Sequence, residues 1–181
     1  MRRIAQGDGA AFETLYRAYE KPVGQFLFRL CYDRALAEDG LQEVFLRVWK
    51  SAPRWRGESK VSTFLFQVAK NYGLNARAKA ARQRARLGGS TEDHGKGAAE
   101  PAASGAGPGA ALEGEELRAA VRRALQALPE DQRLVVHLAQ TEGLTYREVG
   151  EILQLPVSTV KSRMAAAAET LRRKLERHAR G

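Results

Sequence analysis

The stretch LTYREVGEILQLPVSTVKSR, residues 144–163, decides the fold of the C-terminal part of this chain. Its residues 145–148, Thr-Tyr-Arg-Glu, form a capping box, which is the sequence signature of a helix start. The segment 154–156, Gln-Leu-Pro, is predicted to break this helix after residue 153, because proline cannot continue it. A second helix is predicted over about 158–178. A short helix, a turn of three or four residues and a second helix are the layout of a helix-turn-helix.

The second helix opens with small hydrogen-bond donors and cations, which are Ser158, Thr159, Lys161, Ser162 and Arg163. A recognition helix needs this composition at its N-terminal end, where side chains meet base edges and helix N–H groups meet phosphate. The alternative is an ordinary helical hairpin with a solvated polar face. The basic residues 172–174 favour DNA binding over that alternative.

Positive charge is concentrated in two parts of the chain, whose net charge is +9. Residues 47–86 contain eleven basic side chains and one acidic side chain, Glu58, and residues 145–181 contain eight basic and four acidic side chains. The rest of the chain is net acidic. Two separate basic segments predict a partner that is nucleic acid or an anionic membrane surface.

Helical periodicity and one abrupt change of composition predict the organisation of the chain. Apolar residues recur at helical spacing over 12–30 and 35–51, and a loop over 52–60 precedes a third helix, which Ser62 could cap. Residues 88–111 contain mostly Gly, Ala, Pro and Ser, too little apolar surface to fold, and are predicted to be a flexible linker. We therefore expect an all-α protein of two small helical bundles, over 1–87 and 112–181, the second containing the helix-turn-helix.

Aromatic side chains interleave with the cations of residues 47–86. Single-stranded nucleic acid binds to such surfaces, because bases stack on rings while cations contact phosphates. For Tyr72 and Trp49 the helical pattern favours core packing. Trp55 and Phe64 lie in or beside the loop, so core packing and base stacking stay equally open for them.

Several function classes find no support in the composition. The single cysteine, Cys31, excludes an intramolecular disulfide and a cysteine-rich zinc site, and it is expected to be a core thiol. The histidines 94, 137 and 178 are isolated, so we expect no metal, no cofactor and no catalytic site. No stretch is apolar enough for a signal peptide or a membrane span, which predicts a cytoplasmic protein without membrane insertion.

Three motifs carry a family resemblance. Residues 37–45, AEDGLQEVF, resemble the AED-x-x-QE-x-F signature of extracytoplasmic-function sigma factors, and residues 64–71, FLFQVAKN, resemble their WL-x-x-IA-x-N motif. Residues 159–163 are identical to the family's TVKSR. The motifs occur in the family's order around a variable linker and cover nearly the whole chain.

The resemblance implies a region 2 module over about 10–86 and a region 4 module over about 112–180. In the family, region 2 binds core RNA polymerase and melts the −10 promoter element, and region 4 recognises the −35 element as duplex. The residues implied to face polymerase are Asp39, Gln42 and Glu43. Those implied to hold the unpaired −10 strand are Arg54, Trp55, Arg56, Lys60, Phe64, Lys70 and Asn71. Those implied to contact the −35 duplex are Ser158, Thr159, Lys161, Ser162 and Arg163.

The resemblance also implies partners, namely core RNA polymerase, promoter DNA and an anti-sigma protein. Some residues depart from the family pattern: Phe64 replaces Trp, Asn75 replaces Asp, Ser158 replaces Gly, and Gly40 is unusual inside a helix. Residues 164–169, MAAAAE, lack the arginines common there, so duplex binding by this module alone is expected to be weak and salt-sensitive.

Two other functions stay open from the residues. The chain could be a helix-turn-helix transcription regulator that acts without being a polymerase subunit, its N-terminal half binding another partner. It could instead be a purely helical interaction protein, although that leaves both basic segments unexplained.

Overall fold

The computed structural model describes residues 1–86 and 111–179, which form two compact units of helices. Within those ranges no β-strand occurs, and the predicted all-α fold class is confirmed. The predicted linker lies outside the described residues except for its last position, Ala111, which already begins a helix. Each unit is described below by itself.

The N-terminal unit is a three-helix bundle with a short helix at its start. Its elements are α1 (Arg2–Ala5), α2 (Gly9–Cys31), α3 (Arg34–Ser51), a single 3₁₀ turn (Ala52–Arg54) and α4 (Val61–Arg86). Helices α2, α3 and α4 pack pairwise against one another. Their buried apolar side chains are Val23, Phe26, Leu27, Leu30, Val44, Phe45, Val48, Leu65, Phe66 and Ala69.

Aspartates start two of these helices. The Asp8 carboxylate accepts a hydrogen bond from the Ala11 N–H at 3.0 Å, and Asp33 accepts one from Leu36 at 3.1 Å. The prediction that Ser62 caps α4 is wrong, because the helix begins at Val61. The Lys60 carbonyl already accepts the N–H of Phe64 at 3.0 Å, which places Ser62 inside the first turn.

Gly40 has a packing role that its helix propensity does not show. A Cβ atom there would lie 2.6 Å from Cε1 of Tyr72 and 3.2 Å from Cδ1 of Leu27. Glycine costs about 1 kcal/mol relative to alanine inside a helix. Here it is the residue that lets α3 approach the Tyr72 ring this closely.

The aromatic side chains of the first unit pack between helices. The Phe12 ring lies edge-on to Trp49, with centroids 5.0 Å apart, and Tyr16 packs on Phe45 at 4.7 Å. Trp49 and Tyr72 are half-buried. Cys31 is a buried free thiol, which confirms its predicted place in the core.

The C-terminal unit contains four helices. They are α5 (Ala111–Gln126), α6 (Glu130–Val136), which continues into a π-helical turn (His137–Thr141), α7 (Tyr146–Leu153) and α8 (Val157–Ala179). Helix α8 packs against α5 and α6. The buried apolar side chains include Leu128, Leu134, Val135, Leu138, Leu144, Val149, Ile152, Val160 and Ala167.

The predicted helix-turn-helix is confirmed in α7 and α8. The Thr145 N–H donates to Glu148 Oε2 at 2.8 Å, and the Glu148 N–H donates to Thr145 Oγ1 at 3.3 Å, which completes the capping box. Gln154 ends α7 with a φ of +58°, and the Leu155 N–H then donates to the Gly150 carbonyl at 2.9 Å. A Cβ on Gly150 would lie 2.8 Å from the Leu155 carbonyl oxygen, so this turn requires glycine.

Candidate nucleic-acid interface

An open cleft forms where the chain passes from α3 to α4. It has a volume of about 440 Å³, within the range of small-molecule sites. We call it the loop cleft, and it is lined by Ser51, Arg54, Trp55, Arg56, Glu58, Ser59, Phe64 and Gln67. Trp55 and Phe64 are both half-buried. The two rings whose role the sequence left open therefore line one accessible cleft.

The loop backbone and its cations shape this cleft. Gly57 has a φ of +76°, and a Cβ there would lie 3.7 Å from Cζ3 of Trp55, so the indole packs over the glycine. Arg54 and Arg56 are exposed and form no ion pair with the described residues. Unpaired nucleic acid binds to surfaces that combine aromatic faces with cations available for phosphate contacts.

The polar face of α4 continues from this cleft. Phe64, Gln67 and Asn71 are spaced at three and four residues, so they share one face of the helix. Asn71 is exposed, and Lys60 is exposed at the position before the helix. The structure thus brings Asn71 onto the side of α4 that carries Phe64.

Lys70 does not lie on that surface. Its residue is only 6% exposed, and burial lowers the pKa of its ammonium group. Helical periodicity favours core packing for Tyr72, which is only half-buried, whereas Phe66 and Gly73 on the neighbouring side of α4 are buried. The buried side of α4 therefore extends to Lys70, and the expectation that Lys70 contacts the strand directly conflicts with its burial.

Helix α3 presents a separate polar face, formed by Asp39, Gln42 and Glu43. Asp39 and Gln42 are exposed, and Glu43 Oε1 accepts a hydrogen bond from Arg47 Nε at 2.7 Å. Burial first, and then the nearby Asp39 carboxylate, raises the pKa of Tyr72. The α3 polar face is therefore an exposed surface of negative charge, in contrast to the positive loop cleft.

The start of α8 carries the residues predicted to contact duplex DNA. Ser158, Lys161 and Ser162 are exposed, and Thr159 is half-buried. Lys161 forms no ion pair with the described residues. Arg163 is different, because its Nε lies 3.1 Å from Asp131 Oδ2 and its side chain is 30% exposed.

Further along α8, Arg172 also forms ion pairs. Arg172 pairs with Glu169 at 3.0 Å and approaches Glu176 at 3.9 Å. The positive charge available on this helix is therefore smaller than its count of basic residues suggests. Near the start of α8, Lys161 is exposed and has no ion-pair partner among the described residues.

Two family models match the chain in the order of its two units. The model for Sigma-70 region 2 matches residues 15–83, and the model for Sigma-70 region 4 matches residues 118–171. The RNA polymerase sigma-H factor of Pseudomonas aeruginosa is 30% identical, over 97% of this chain and 92% of the relative. The chain belongs to the extracytoplasmic-function sigma factors of the sigma-70 family. The ECF RNA polymerase sigma-E factor of Escherichia coli K12 is likewise 30% identical over 97% of this chain and 92% of its own.

Solved sigma factors share the fold of this one. The sigma factor RpoE, in complex with the anti-sigma factor NepR from Bartonella quintana, matches with a TM-score of 0.72 and 22% identity, covering 92% of this chain and 97% of that chain. CnrH, in complex with the cytosolic domain of CnrY, matches with a TM-score of 0.63 and 18% identity, over 96% and 93%. The family assignment favours a sigma factor over a regulator that is not a polymerase subunit.

The matched regions contain the candidate surfaces of this sigma factor. The region 2 match includes the α3 polar face and the loop cleft, and the region 4 match includes α7 and the start of α8. The resemblance already implied that the loop Arg54 to Lys60 holds the unpaired strand, and sequence reasoning missed two other residues of the loop cleft, namely Ser51 and Gln67. For Gln67 a signal existed, because it lies three residues after Phe64 and four before Asn71 on the same helical face.

The described ranges show neither a metal-binding cluster nor a membrane-spanning helix. Residues 1–86 and 111–179 contain no group of three or more His, Cys, Asp or Glu side chains placed to hold a metal ion. None of the helices in this part of the sigma factor is long and apolar enough to cross a membrane.

Proposed function

We propose that this sigma factor binds core RNA polymerase and directs it to promoters, holding the −10 element as an unpaired strand and the −35 element as duplex. The observation that carries this proposal is the loop cleft. Trp55 and Phe64 line this open cleft together with Arg54 and Arg56, which form no ion pair within the part of the chain that the structure describes. A surface that binds only duplex has no need of accessible rings at this position.

Strand opening would follow from capture of a base in the loop cleft. Taking a base out of the stack costs a few kcal/mol. Stacking on an aromatic ring returns about 1–3 kcal/mol per base, and phosphate contacts to Arg54 and Arg56 add to it. Melting then needs no nucleotide hydrolysis, and we infer that the protein acts without catalytic chemistry of its own.

The α3 polar face is the surface we assign to core polymerase. Asp39 and Gln42 are exposed, and the ion pair with Arg47 holds the Glu43 carboxylate in place. Charged and polar groups on one rigid helix can fix the register of a partner. A negative face avoids DNA phosphates, so polymerase and promoter would use different surfaces of the same unit.

The start of α8 is the element we assign to the −35 major groove. Ser158, Thr159 and Ser162 would meet base edges, and Lys161 would contact phosphate. Arg163 would have to leave Asp131, 3.1 Å away, before it could reach DNA. With alanines at 165–168 after it, this helix contributes few phosphate contacts, so duplex binding should depend on the polymerase complex.

We further propose that an anti-sigma protein restrains this factor. The related solved structures contain such a partner in the case of RpoE with NepR. Because core polymerase and promoter DNA meet in the bacterial cytoplasm, the protein would act there.

The deciding experiment is run-off transcription with core polymerase and a panel of promoters, with and without the protein. New transcripts that require the protein are the expected result. The absence of both transcripts and core binding would reject the proposal.

A matched pair of variants separates core polymerase binding from strand opening. Gln42→Ala should weaken core binding, whereas Asn71→Ala should leave core binding intact and impair strand opening. Both residues are exposed, so neither change should disturb the fold. Equal loss of core binding and of strand opening in Asn71→Ala would contradict the separation.

A further inference from the structure

We propose that helix α1 is a brace that fixes the start of the loop cleft, with Ile4 as the positioning residue. The helix contacts the 3₁₀ turn Ala52–Arg54, from which the chain enters the cleft. This inference rests on the proposed function, because it concerns how tightly an unpaired strand binds. It assigns a part in strand binding to a helix that does not line the cleft.

The 3₁₀ turn is a short element that needs support from packing. The Trp55 N–H closes it by donating to the Ala52 carbonyl at 3.2 Å. Pro53, in the middle of the turn, has no N–H to donate. Hydrogen-bond geometry in 3₁₀ turns is also poorer than in an α-helix. Contacts with neighbouring elements must therefore contribute to holding the turn in place.

Helix α1 supplies such a contact through Ile4. Ile4 is the buried residue of α1, and Ala52 at the start of the turn is buried as well. Because α1 contacts α2 and α3 as well as the turn, Ile4 ties the turn to the three-helix bundle. Arg54 and Trp55, which line the loop cleft, follow directly after Ala52 and Pro53. A movement of the turn would therefore displace both the cation and the ring.

The residues that start α2 hold α1 in turn. A helix of four residues is not stable alone, because short isolated helices are marginal in water. Arg3 Nε donates to Asp8 Oδ2 at 2.7 Å, and the Asp8 N–H donates to the Arg3 carbonyl at 3.1 Å. Asp8 Oδ1 accepts the N–H of Ala11 at 3.0 Å, the bond that caps α2. The brace is therefore anchored to α2 at one end and packs on the 3₁₀ turn at the other.

A fixed turn favours strand binding because the cleft is then ordered before the strand arrives. Side chains and loops that become ordered only on binding reduce affinity, and preorganisation avoids that loss. Without the Ile4 side chain, Arg54 and Trp55 would be ordered only when the strand binds. The α3 polar face, over 39–43, lies more than two helical turns before the 3₁₀ turn, so core binding should be unaffected.

The first measurement is hydrogen exchange of the Trp55 amide in the full, free protein, followed by NMR. In Ile4→Ala this amide should exchange at least about 5-fold faster than in the wild type, because its bond to the Ala52 carbonyl opens more often. The second measurement is the affinity of the polymerase-bound protein for a fluorescent unpaired −10 strand. It should fall about 5-fold or more, with core binding unchanged. Ile4→Val keeps a branched apolar side chain and should restore most of both wild-type values.

Leu30→Ala is the matched control, because it also truncates a buried aliphatic side chain of the same bundle. Leu30 lies at the end of α2, which precedes α3, whereas the 3₁₀ turn follows α3. The variant should lower the free energy of unfolding at least as much as Ile4→Ala does. It should leave Trp55 exchange and strand affinity at their wild-type values, because a single turn opens locally and not with the bundle. If Leu30→Ala does not fold, Leu30→Val takes its place.

Three results would overturn the inference. Ile4→Ala could leave Trp55 exchange unchanged, or it could speed the exchange and still bind the strand like the wild type. In the third case the Leu30 control weakens strand binding as much as Ile4→Ala, which would make the effect one of stability alone. A wild-type complex that binds no unpaired strand would instead refute the proposed function, and the exchange measurement, which involves no strand, would still decide whether α1 fixes the turn.

Discussion

The loop cleft and the start of α8 both carry basic residues, but they hold them differently. In the loop cleft, Arg54 and Arg56 have no ion-pair partner among the described residues and lie beside an aromatic ring. On α8, Arg163 pairs with Asp131, and Lys161 has no ion-pair partner within residues 1–86 and 111–179. The contrast suits the two proposed roles, because the proposed strand site would combine stacking with available positive charge, whereas the proposed duplex site would use base-edge contacts and few phosphate contacts.

The same contrast predicts how the two sites respond to salt. Phosphate contacts release counterions, so affinity falls with salt in proportion to the number of cations engaged. Stacking on a ring has no such dependence. Arg54 and Arg56 are both available at the proposed strand site, whereas Asp131 holds one of the two cations at the start of α8. The proposed strand site should therefore show the steeper loss of affinity with salt, and stacking should preserve the part that remains at high salt.

The largest expected effect is the loss of strand affinity when the rings of the loop cleft are removed. In Trp55→Ala, and in the double variant with Phe64→Ala, the polymerase-bound factor should lose affinity for an unpaired −10 strand. Stacking contributes about 1–3 kcal/mol per base, so removing both rings around the captured base should weaken binding roughly 5- to 150-fold. Fluorescence anisotropy of a labelled strand measures the effect.

Two controls accompany the ring variants. Trp55→Phe keeps an aromatic face and should retain most of the strand affinity, and binding of a −35 duplex should be unchanged in all of these variants. If the alanine variants bind the strand like the wild type, the rings serve only packing.

Glycine substitutions should each destabilise one of the two units, so they allow the stabilities of the units to be compared. Gly150→Ala places a Cβ 2.8 Å from the backbone oxygen of Leu155, which cannot move aside without disturbing the turn. Gly40→Ala meets the Tyr72 ring, a side chain that can rotate, and it gains helix propensity. We expect about 1–3 kcal/mol of destabilisation for Gly150→Ala and less for Gly40→Ala.

Denaturant unfolding followed by two probes distinguishes these glycine variants. Both tryptophans, Trp49 and Trp55, lie in the N-terminal unit, so tryptophan fluorescence reports on that unit, while circular dichroism reports on all helices. Gly40→Ala should shift the fluorescence transition, and Gly150→Ala should shift only the circular-dichroism component. A larger loss of stability in Gly40→Ala than in Gly150→Ala would contradict the steric argument.

Alkaline pH should lower the stability of the N-terminal unit, which contains Cys31, by a smaller amount. Burial raises the pKa of the Cys31 thiol from an ordinary value of 9.0 to about 11. Between these values the unfolded chain loses the proton and the folded unit keeps it, so stability is complete below pH 9 and falls as pH rises toward 11. The loss should reach about 1.4 kcal/mol at pH 10.

The raised pKa of Tyr72 acts in the same direction and in the same unit. Tryptophan fluorescence during denaturant unfolding at pH 8 to 10.5 measures the effect, and Cys31→Ala should remove the part due to the thiol. A pH-independent midpoint in the wild type would show that the thiol ionises as readily in the folded unit as in the unfolded chain.

The salt dependence of duplex binding should show the smallest effect. Lys161→Ala should reduce the slope of log K against log salt by about 0.9, because one phosphate contact and its released counterion are lost. Arg163→Ala should change the slope less, since Arg163 pairs with Asp131. Titrations of a −35 duplex at several salt concentrations measure both.

Asp131→Asn sharpens that test by freeing Arg163 without removing it. The variant should bind duplex more tightly and with a steeper salt slope than the wild type. Equal slopes for Lys161→Ala and Arg163→Ala would show that the ion pair with Asp131 opens on DNA.

Much of the fold could be predicted because its signals lie within one or two helical turns. The capping box at 145–148 and the apolar spacing of the helices are local patterns, and both describe the structure well. The start of α4 was misplaced by two residues, because serine is a preferred N-cap residue, whereas in the structure the helix begins at Val61, directly after Lys60. Which residue begins the helix depends on packing around the loop.

The candidate site was predicted less completely. The sequence placed Lys70 and Asn71 together, as neighbours in a motif. In the structure Asn71 is exposed and Lys70 is buried, because the core side of α4 is defined by Phe66 and Gly73 against helix α2. A rotation of one residue along a helix is about 100°, which is enough to exchange an exposed side chain for a buried one.

The sequence by itself determined the helical fold class, the helix-turn-helix, the two basic segments and the family. All of these depend on residue types and spacings along the chain. Only the tertiary structure decided which cations are uncommitted, that Gly40 permits a close helix contact, and that Glu58 shares a cleft with two rings. The ion pair between Asp131 and Arg163 and the contact of Gly40 with Tyr72 join residues far apart in sequence, which no local pattern contains. The shared cleft depends on how the loop backbone folds, which residue types alone do not specify.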